Sequence, residues 1–348
     1  MGGLKPSSDS GQAPLVSVCI ANYNGMAVID DCLRSVMEQE GQITVEILVH
    51  DDASGDGSAA YIRDHYPDAR LIVSERNVGF CVANNRMVAE ARGKYLLLLN
   101  NDAALYPDAL LTLLTEATRL GRPAIFGLPQ YDAVTGGLID IGSLFDPFLN
   151  PVPNRNPDRN EVGMIIGACL WLPRALWTEL GGFPEWFHTL AEDMYLCARA
   201  RLAGYPVRAI GKSGFRHHVG NSLGGGKITS ENRLVTSRRR RALSERNKTF
   251  VMTSTYPGVV LAVALPLHLL LLLMEGLLLS LLKWDITLWR TIYAPLYPSL
   301  WQTRNKLLRL RKDVQEKRRI GLREWMAVFR LLPYKMEMLL KHGLPEVR

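Results

Sequence analysis

Cysteine is scarce in this sequence, and none of it is paired: Cys19, Cys32, Cys81, Cys169 and Cys197 form no CxxC element and sit mostly within apolar stretches. That pattern excludes a disulfide framework and a zinc knuckle, and it fits a reducing compartment. Residues 1–14, MGGLKPSSDSGQAP, hold no apolar core behind Lys5, so they read as a flexible leader rather than a signal peptide. Charge is sparse as well. With 22% charged and 47% hydrophobic residues the chain is too apolar to be disordered. Long hydrophobic runs are absent except for one, where no charged residue occurs between Lys248 and Glu275 and the apolar character continues to Lys283.

The net charge of +7 conceals two unlike halves. Residues 1–237 hold 20 basic and 26 acidic side chains, whereas 238–348 hold 21 and 8. The excess of base therefore belongs to the part that contains the apolar run. Since no RNA- or DNA-binding module is recognisable, nucleic acid is excluded as the partner that the overall charge would suggest.

Short apolar runs of β type recur at LVSVCIA (15–21), ITVEILVH (43–50), ARLIVS (69–74), KYLLLLN (94–100) and AIFGL (124–128). Segments 26–40, 56–66, 79–92 and 106–120 lie between them with apolar positions at helical spacing. Strands that are apolar throughout and alternate with helices predict an α/β, Rossmann-like, mostly parallel sheet covered on both faces. Ligands of such sheets bind at the carboxyl ends of the strands, near a switch in strand order. The residues that follow the runs are unusually polar: Asn22-Tyr23-Asn24, Asp51-Asp52, Glu75-Arg76-Asn77 and Asn100-Asn101-Asp102. Asp52 also reads as a turn residue, because DASGDG is rich in turn formers.

Six segments give this pattern a family character: VSVCIANYNG (16–25), VHDDASGDGS (49–58), NVGFCVANN (77–85), YLLLLNNDAAL (95–105), GGFPEWFHTLAEDMYLCARARLAGY (181–205) and HHVGNS (217–222). In combination and order the sequence resembles the family 2 glycosyltransferases, which have the GT-A fold and transfer a sugar from a nucleotide diphosphate sugar with inversion. The resemblance implies that Asp51 contacts the base, that Ala21 and Asn22 line the same crevice, and that Asn77, Asn85 and Asn101 support the nucleotide side. Asn100-Asn101-Asp102 stands where the family has its DxD element. Asp102 is then the ligand of Mg²⁺ or Mn²⁺, and Asn100, which replaces the first carboxylate, assists through its carbonyl or through water. His217 and His218 resemble the family's late histidine at the metal or diphosphate, with His217, five residues before Ser222, the preferred match. A flap over the donor is expected around Gly224–Gly226, with Arg233 near the diphosphate.

Inversion needs a general base to take the acceptor hydroxyl proton. Glu192-Asp193 matches the family's ED element. Asp193 is the base by that resemblance, and Glu192 positions the acceptor. Many relatives carry a further acid where this chain has Tyr195.

The boundaries that follow are a catalytic domain at 15–237, a basic juxtamembrane linker at 238–256, an apolar membrane helix at 257–283, and aromatic and basic surface helices at 284–348. The apolar run is long enough to cross a bilayer core of ~30 Å. Basic residues flank it on both sides, Pro266 interrupts it, and His268 and Glu275 lie inside it. A single span, a re-entrant hairpin and a monotopic helix all remain open on these grounds. Trp284, Trp289 and Trp301 with Tyr293 and Tyr297 suit headgroup depth, or the groove of a protein partner. The segment RNKLLRLRKDVQEKRR reads as an amphipathic helix on anionic membrane lipids, or as a solvated one.

The expectation is a metal-dependent inverting enzyme at the cytoplasmic face of the inner membrane. It would move a sugar, with rhamnose suggested by resemblance of the tail, from a nucleotide diphosphate sugar to a lipid-linked saccharide acceptor. A non-catalytic nucleotide-sugar-binding scaffold is the alternative.

Overall fold

In a computed structural model the chain is described at residues 5–6, 13–220, 225–228 and 234–348. Most of the leader, Ser222, Gly224 and Arg233 lie outside the described residues. Two compact units emerge: Met1–Ser143, Pro153–Ala200 and Tyr205–His218 form the first, and Leu144–Val152, Arg201–Gly204 and Val219–Arg348 form the second.

The first unit is an α/β sandwich. Strands β1 (Val16–Asn22), β2 (Thr44–Asp51), β3 (Ala69–Val73) and β4 (Tyr95–Asn100) are parallel and stand in the order β3-β2-β1-β4. The chain winds outward from β1 through β2 to β3 and then returns to the other side of β1. The switch point therefore lies between the ends of β1 and β4. Helices α1 (Ile29–Met37), α2 (Ser58–His65) and α3 (Phe80–Glu90) make the crossovers. β1 and β4 are buried along nearly their whole length, which is why VSVCIAN and YLLLLN need no alternation of polar residues.

Beyond β4 the sheet departs from a simple parallel winding. Strand β5 (Ala103–Leu105) leaves the main sheet, helix α4 (Ala109–Leu120) follows, and β6 (Ile125–Gly127) does not pair with β4. A strand without a counterpart in the sequence reading, Cys169–Pro173, inserts antiparallel between β4 and β6. The mixed sheet is thus parallel on one side of this strand and mixed on the other. A second small sheet pairs β5 antiparallel with Phe215–His217, which runs parallel to Gln130–Asp132.

The second unit is largely helical. Helix α5 (Glu192–Leu202) begins in the first unit; α6 (Arg238–Thr255), α7 (Gly258–Leu282) and α8 (Leu296–Glu316) belong to the second. The segment expected as a basic linker is the helix α6, with Ser237 Oγ accepting from the Arg240 N–H as its N-cap. Helix α7 is the one described helix long and apolar enough to cross a membrane.

Candidate active site

The crevice at the end of β1 is built around one asparagine. Asn22, wholly buried at the end of β1, donates through Nδ2 to Asp51 Oδ2 at 2.8 Å and to Ser58 Oγ at 2.9 Å. Its Oδ1 accepts from Asn101 Nδ2 at 2.9 Å. The ends of β1 and β2, the start of α2 and the turn after β4 are thereby tied at one point. Asp51 also accepts the Ser54 N–H at 3.0 Å, and each carboxylate oxygen keeps a second lone pair for a ligand donor. Ala21, half-buried, precedes this hub.

Gly25 is required by it. A Cβ there would stand 2.1 Å from Asn22 Oδ1 and 2.4 Å from Asn101 Nδ2, closer than any carbon contact allows. Gly25→Ala is therefore expected to break the Asn22–Asn101 bond and to weaken binding of a nucleotide ligand about tenfold or more, on the scale of an orphaned buried polar group. Titration calorimetry of the variant measures this; unchanged affinity would separate the hub from ligand binding.

Asp52 is a clamp rather than only a turn former. Its two oxygens accept the N–H groups of Val78 at 2.6 Å and Gly79 at 2.9 Å, fixing the loop between β3 and α3. Asn77 lies exposed on that loop. Asn85 donates through its amide to the Phe183 carbonyl at 2.9 Å and accepts the Phe183 N–H at 3.1 Å, holding the chain that leads to the acid pair.

On the other side of the switch point, Asp102 and His217 meet in a buried pair, with His217 Nε2 3.1 Å from Asp102 Oδ1. Gln130 Nε2 lies 2.8 Å from His217 Nδ1, so with this amide orientation Nδ1 accepts and the Nε2 proton points at the carboxylate. Strand alternation explains the choice between the histidines. Phe215 and His217 face inward and Arg216 outward, while His218 contributes its backbone N–H to the Asp102 carbonyl at 3.0 Å. Asn100, two residues before Asp102, has its Oδ1 buried without a hydrogen-bond partner. Among the described residues no group of three His, Cys, Asp or Glu side chains is gathered to hold an ion by itself.

The acid pair opens α5. Asp193 Oδ2 accepts the Gly167 N–H at 2.9 Å and Oδ1 accepts the Met194 N–H at 2.7 Å; Glu192 and Asp193 are both buried. The next residue, Ala168, accepts the Asn100 N–H at 3.1 Å. Adjacent residues Gly167 and Ala168 therefore hold Asp193 through an N–H and the Asn100 backbone through a carbonyl, bringing the two halves of the site onto one segment.

The approach to the pair is strained. His188, Leu190 and Ala191 have φ of 67°, 71° and 63°, a left-handed conformation that non-glycine residues adopt at a cost. The His188 ring lies flat on Gly79, where a Cβ would approach its Nδ1 to 2.2 Å, and its carbonyl accepts the Cys81 N–H at 3.1 Å. Gly167, Gln130 and His188 were not singled out from the sequence. The only signal for the first was its place just before the buried run CLWLP.

Residues 17–180 match the sequence model of glycosyl transferase family 2. The N-acetylglucosaminyl-diphospho-decaprenol L-rhamnosyltransferase of Mycobacterium tuberculosis is 26% identical over 211 residues, 52% of this chain and 68% of that protein. The succinoglycan biosynthesis protein ExoO of Rhizobium meliloti is 34% identical over 111 residues, 32% of each chain. The chain spans about a third of the length of the first curated relatives it matches. In three dimensions it resembles GalNAc-T7, solved with UDP, GalNAc and Mn²⁺, at a TM-score of 0.54 and 15% identity, covering 70% of this chain and 48% of that one. At that identity the likeness is one of fold.

Proposed function

We infer, because residues 17–180 match glycosyl transferase family 2 and the α/β unit has the GT-A fold, that the chain is a metal-dependent inverting glycosyltransferase. Its donor is a nucleotide diphosphate sugar and its acceptor a lipid-linked saccharide in polysaccharide synthesis. The observation that carries this is the junction at Gly167–Ala168, where adjacent residues bond the Asp193 carboxylate and the Asn100 N–H that leads into the turn to Asp102. A general base and a diphosphate-side cation site are the two parts such a transfer needs.

Asp51 would bind the base and Asn22 would fix the Asp51 carboxylate. Asp102, His217 and the orphaned Oδ1 of Asn100 offer a carboxylate, an imidazole and an amide oxygen, a donor set that suits Mg²⁺ or Mn²⁺ with diphosphate oxygens completing it. The ion, when bound, offsets the charge that develops on the leaving diphosphate. Asp193 takes the acceptor hydroxyl proton as that oxygen attacks the anomeric carbon. The new C–O bond forms as the bond to the diphosphate breaks. Rhamnose as the sugar and a polyprenyl diphosphate anchor in the acceptor are supported by the name of the mycobacterial relative. The apolar α7 supports attachment to a membrane, which on this reading is the inner membrane at its cytoplasmic side.

The test is a panel of nucleotide sugars with Mg²⁺ or Mn²⁺, read as thermal stabilisation of the whole protein. At a hundredfold excess over Kd the cognate donor is expected to add about 2.7 kcal/mol. Chelation, or Asp102→Asn, is expected to abolish that gain. Stabilisation that survives both would refute the metal assignment. The amide in place of the first DxD carboxylate favours a second reading, a nucleotide-sugar-binding scaffold without turnover; sugar transfer to a lipid-linked acceptor rules that out.

A further inference from the structure

Helix α7 does not stand alone. His268, Leu272, Gly276, Leu279 and Ser280, one face at helical spacing, are buried, whereas Val259, Val263, Leu270, Leu277 and Leu281 point outward and are 44–82% exposed. The buried face rests on α6. Thr249 Oγ1 lies 3.0 Å from His268 Nε2, and Arg241 pairs with Glu275. These two contacts step backward along α6 as they step forward along α7, so the helices run antiparallel. On the same side Gly276 lies flush against Trp289 and Tyr293, where a Cβ would come within 2.7 Å of either ring.

A span is incompatible with that packing. At about 1.5 Å per residue the middle of α7 would sit at the centre of a ~30 Å hydrocarbon core. The part of α6 that faces this middle carries Arg241, Glu245, Arg246 and Lys248. Each charged residue at bilayer centre costs about 2.5–3.5 kcal/mol on the insertion scale, and the rest of the arginine run would follow. To span, α7 would have to leave α6 and strip Glu275 of Arg241.

We propose that α7 lies in the plane of an anionic phospholipid leaflet, with its outer face in the acyl boundary, its inner face kept on α6, and both of its flanks on one side of the membrane. The inference rests on the membrane attachment read above. It commits to lipid because of charge. Lys283, Arg290, Arg304, Lys306, Arg309 and Lys312, which follow α7, are all exposed, and each contributes about 1 kcal/mol near an anionic surface. Trp284 and Trp301 are 91% and 69% exposed, with the Arg304 guanidinium 4.2 Å over the Trp301 ring, as suits headgroup depth. The basic flanks on both sides of the run, which set the positive-inside rule against a single span, then lie at the same leaflet.

The experiment places a nitroxide on single cysteines at Val263, Leu270, Leu277 and Leu281 of the full chain. The protein is bound to phosphatidylethanolamine vesicles containing a minor fraction of phosphatidylglycerol, and depth is read from the ratio of oxygen to nickel-chelate accessibility. The native cysteines are buried and stay unlabelled. The expected result is one shallow depth at all four sites, about 5–10 Å below the headgroups, with binding reduced at least tenfold on pure phosphatidylcholine. A depth maximum near Leu270, as a span or hairpin would give, overturns the in-plane placement while leaving membrane attachment intact. Spin–spin broadening with low oxygen access, the mark of a second copy covering the face, overturns it too. Failure to bind either vesicle overturns both readings.

Discussion

Asp193→Asn is expected to lower the turnover number by about 10²–10⁴, the range for losing a positioned general base, while donor binding survives. The reason lies in how the carboxylate is held. Oδ2 accepts from Gly167 and Oδ1 from Met194, so both oxygens face backbone donors. An amide keeps the shape and one acceptor but turns an NH₂ toward one of these N–H groups, which adds a cost of about 1–3 kcal/mol to the lost basicity. On the proposed reading the nucleotide sugar is held by Asn22, Asp51 and Asp102, so its binding should change little in calorimetry. An activity loss with an equal loss of donor affinity would mean that the variant disturbs the Gly167–Ala168 junction rather than the proton transfer. Retained turnover would remove Asp193 from the base role altogether. Glu192→Gln makes a useful companion, since a positioning role predicts a raised KM for the acceptor.

The parallel part of the fold was legible because buried strands write themselves as uninterrupted apolar runs. VSVCIAN, TVEILVHD, ARLIV and YLLLLN fall within a residue or so of where the sequence puts them. The strand Cys169–Pro173 was not legible: its insertion between β4 and β6 depends on pairing across some 70 residues, which no local period records. Polar residues at strand ends marked the crevice, but not their partners. Nothing local shows that Asn22 joins Asp51 to Asn101, or that Asp52 holds Val78 and Gly79. The two histidines were separable in principle, since period-two alternation with the apolar Phe215 puts His217, not His218, on the inner face. In the second unit the arginine run reads as a basic juxtamembrane linker, because two acids that pair with it, Glu275 and Asp285, stand 34 and 47 residues from Arg241 and Arg238.

An acid on α6 itself carries the second large prediction. Glu245 on α6 is 4% exposed and forms ion pairs with Lys248 at 3.0 Å and Lys335 at 2.7 Å; Lys335 reaches Glu275 at 2.8 Å, and Tyr293 donates to Glu275 at 3.2 Å. Removing one partner of such a buried cluster leaves charge without compensation. Glu245→Ala is therefore expected to destabilise the second unit by about 3–5 kcal/mol, read as a lowered midpoint in calorimetry. Glu316→Ala, which breaks an exposed contact to Lys312 at 3.8 Å, should change stability by less than about 0.5 kcal/mol.

The pH dependence separates charge from packing. Burial alone would raise the Glu245 carboxyl, but Lys248, Lys335 and Arg241 outweigh it and hold the group far below the usual carboxylate range. A depressed folded pKa gives stability that is full above the unfolded value of about 4.3 and is lost as pH falls below it. Lys335 behaves in the opposite sense. Burial lowers it, Glu245 and Glu275 raise it above the ordinary lysine value, and its contribution is present below the unfolded pKa of about 10.4 and fades as pH climbs through the folded one. Lys248 gains less from the cluster, since burial outweighs Glu245 and lowers its pKa. The gap between wild type and Glu245→Gln should accordingly be widest near neutrality and narrow below about pH 4. A gap that stays constant into acid would assign the effect to packing alone and take the charge out of the cluster's role.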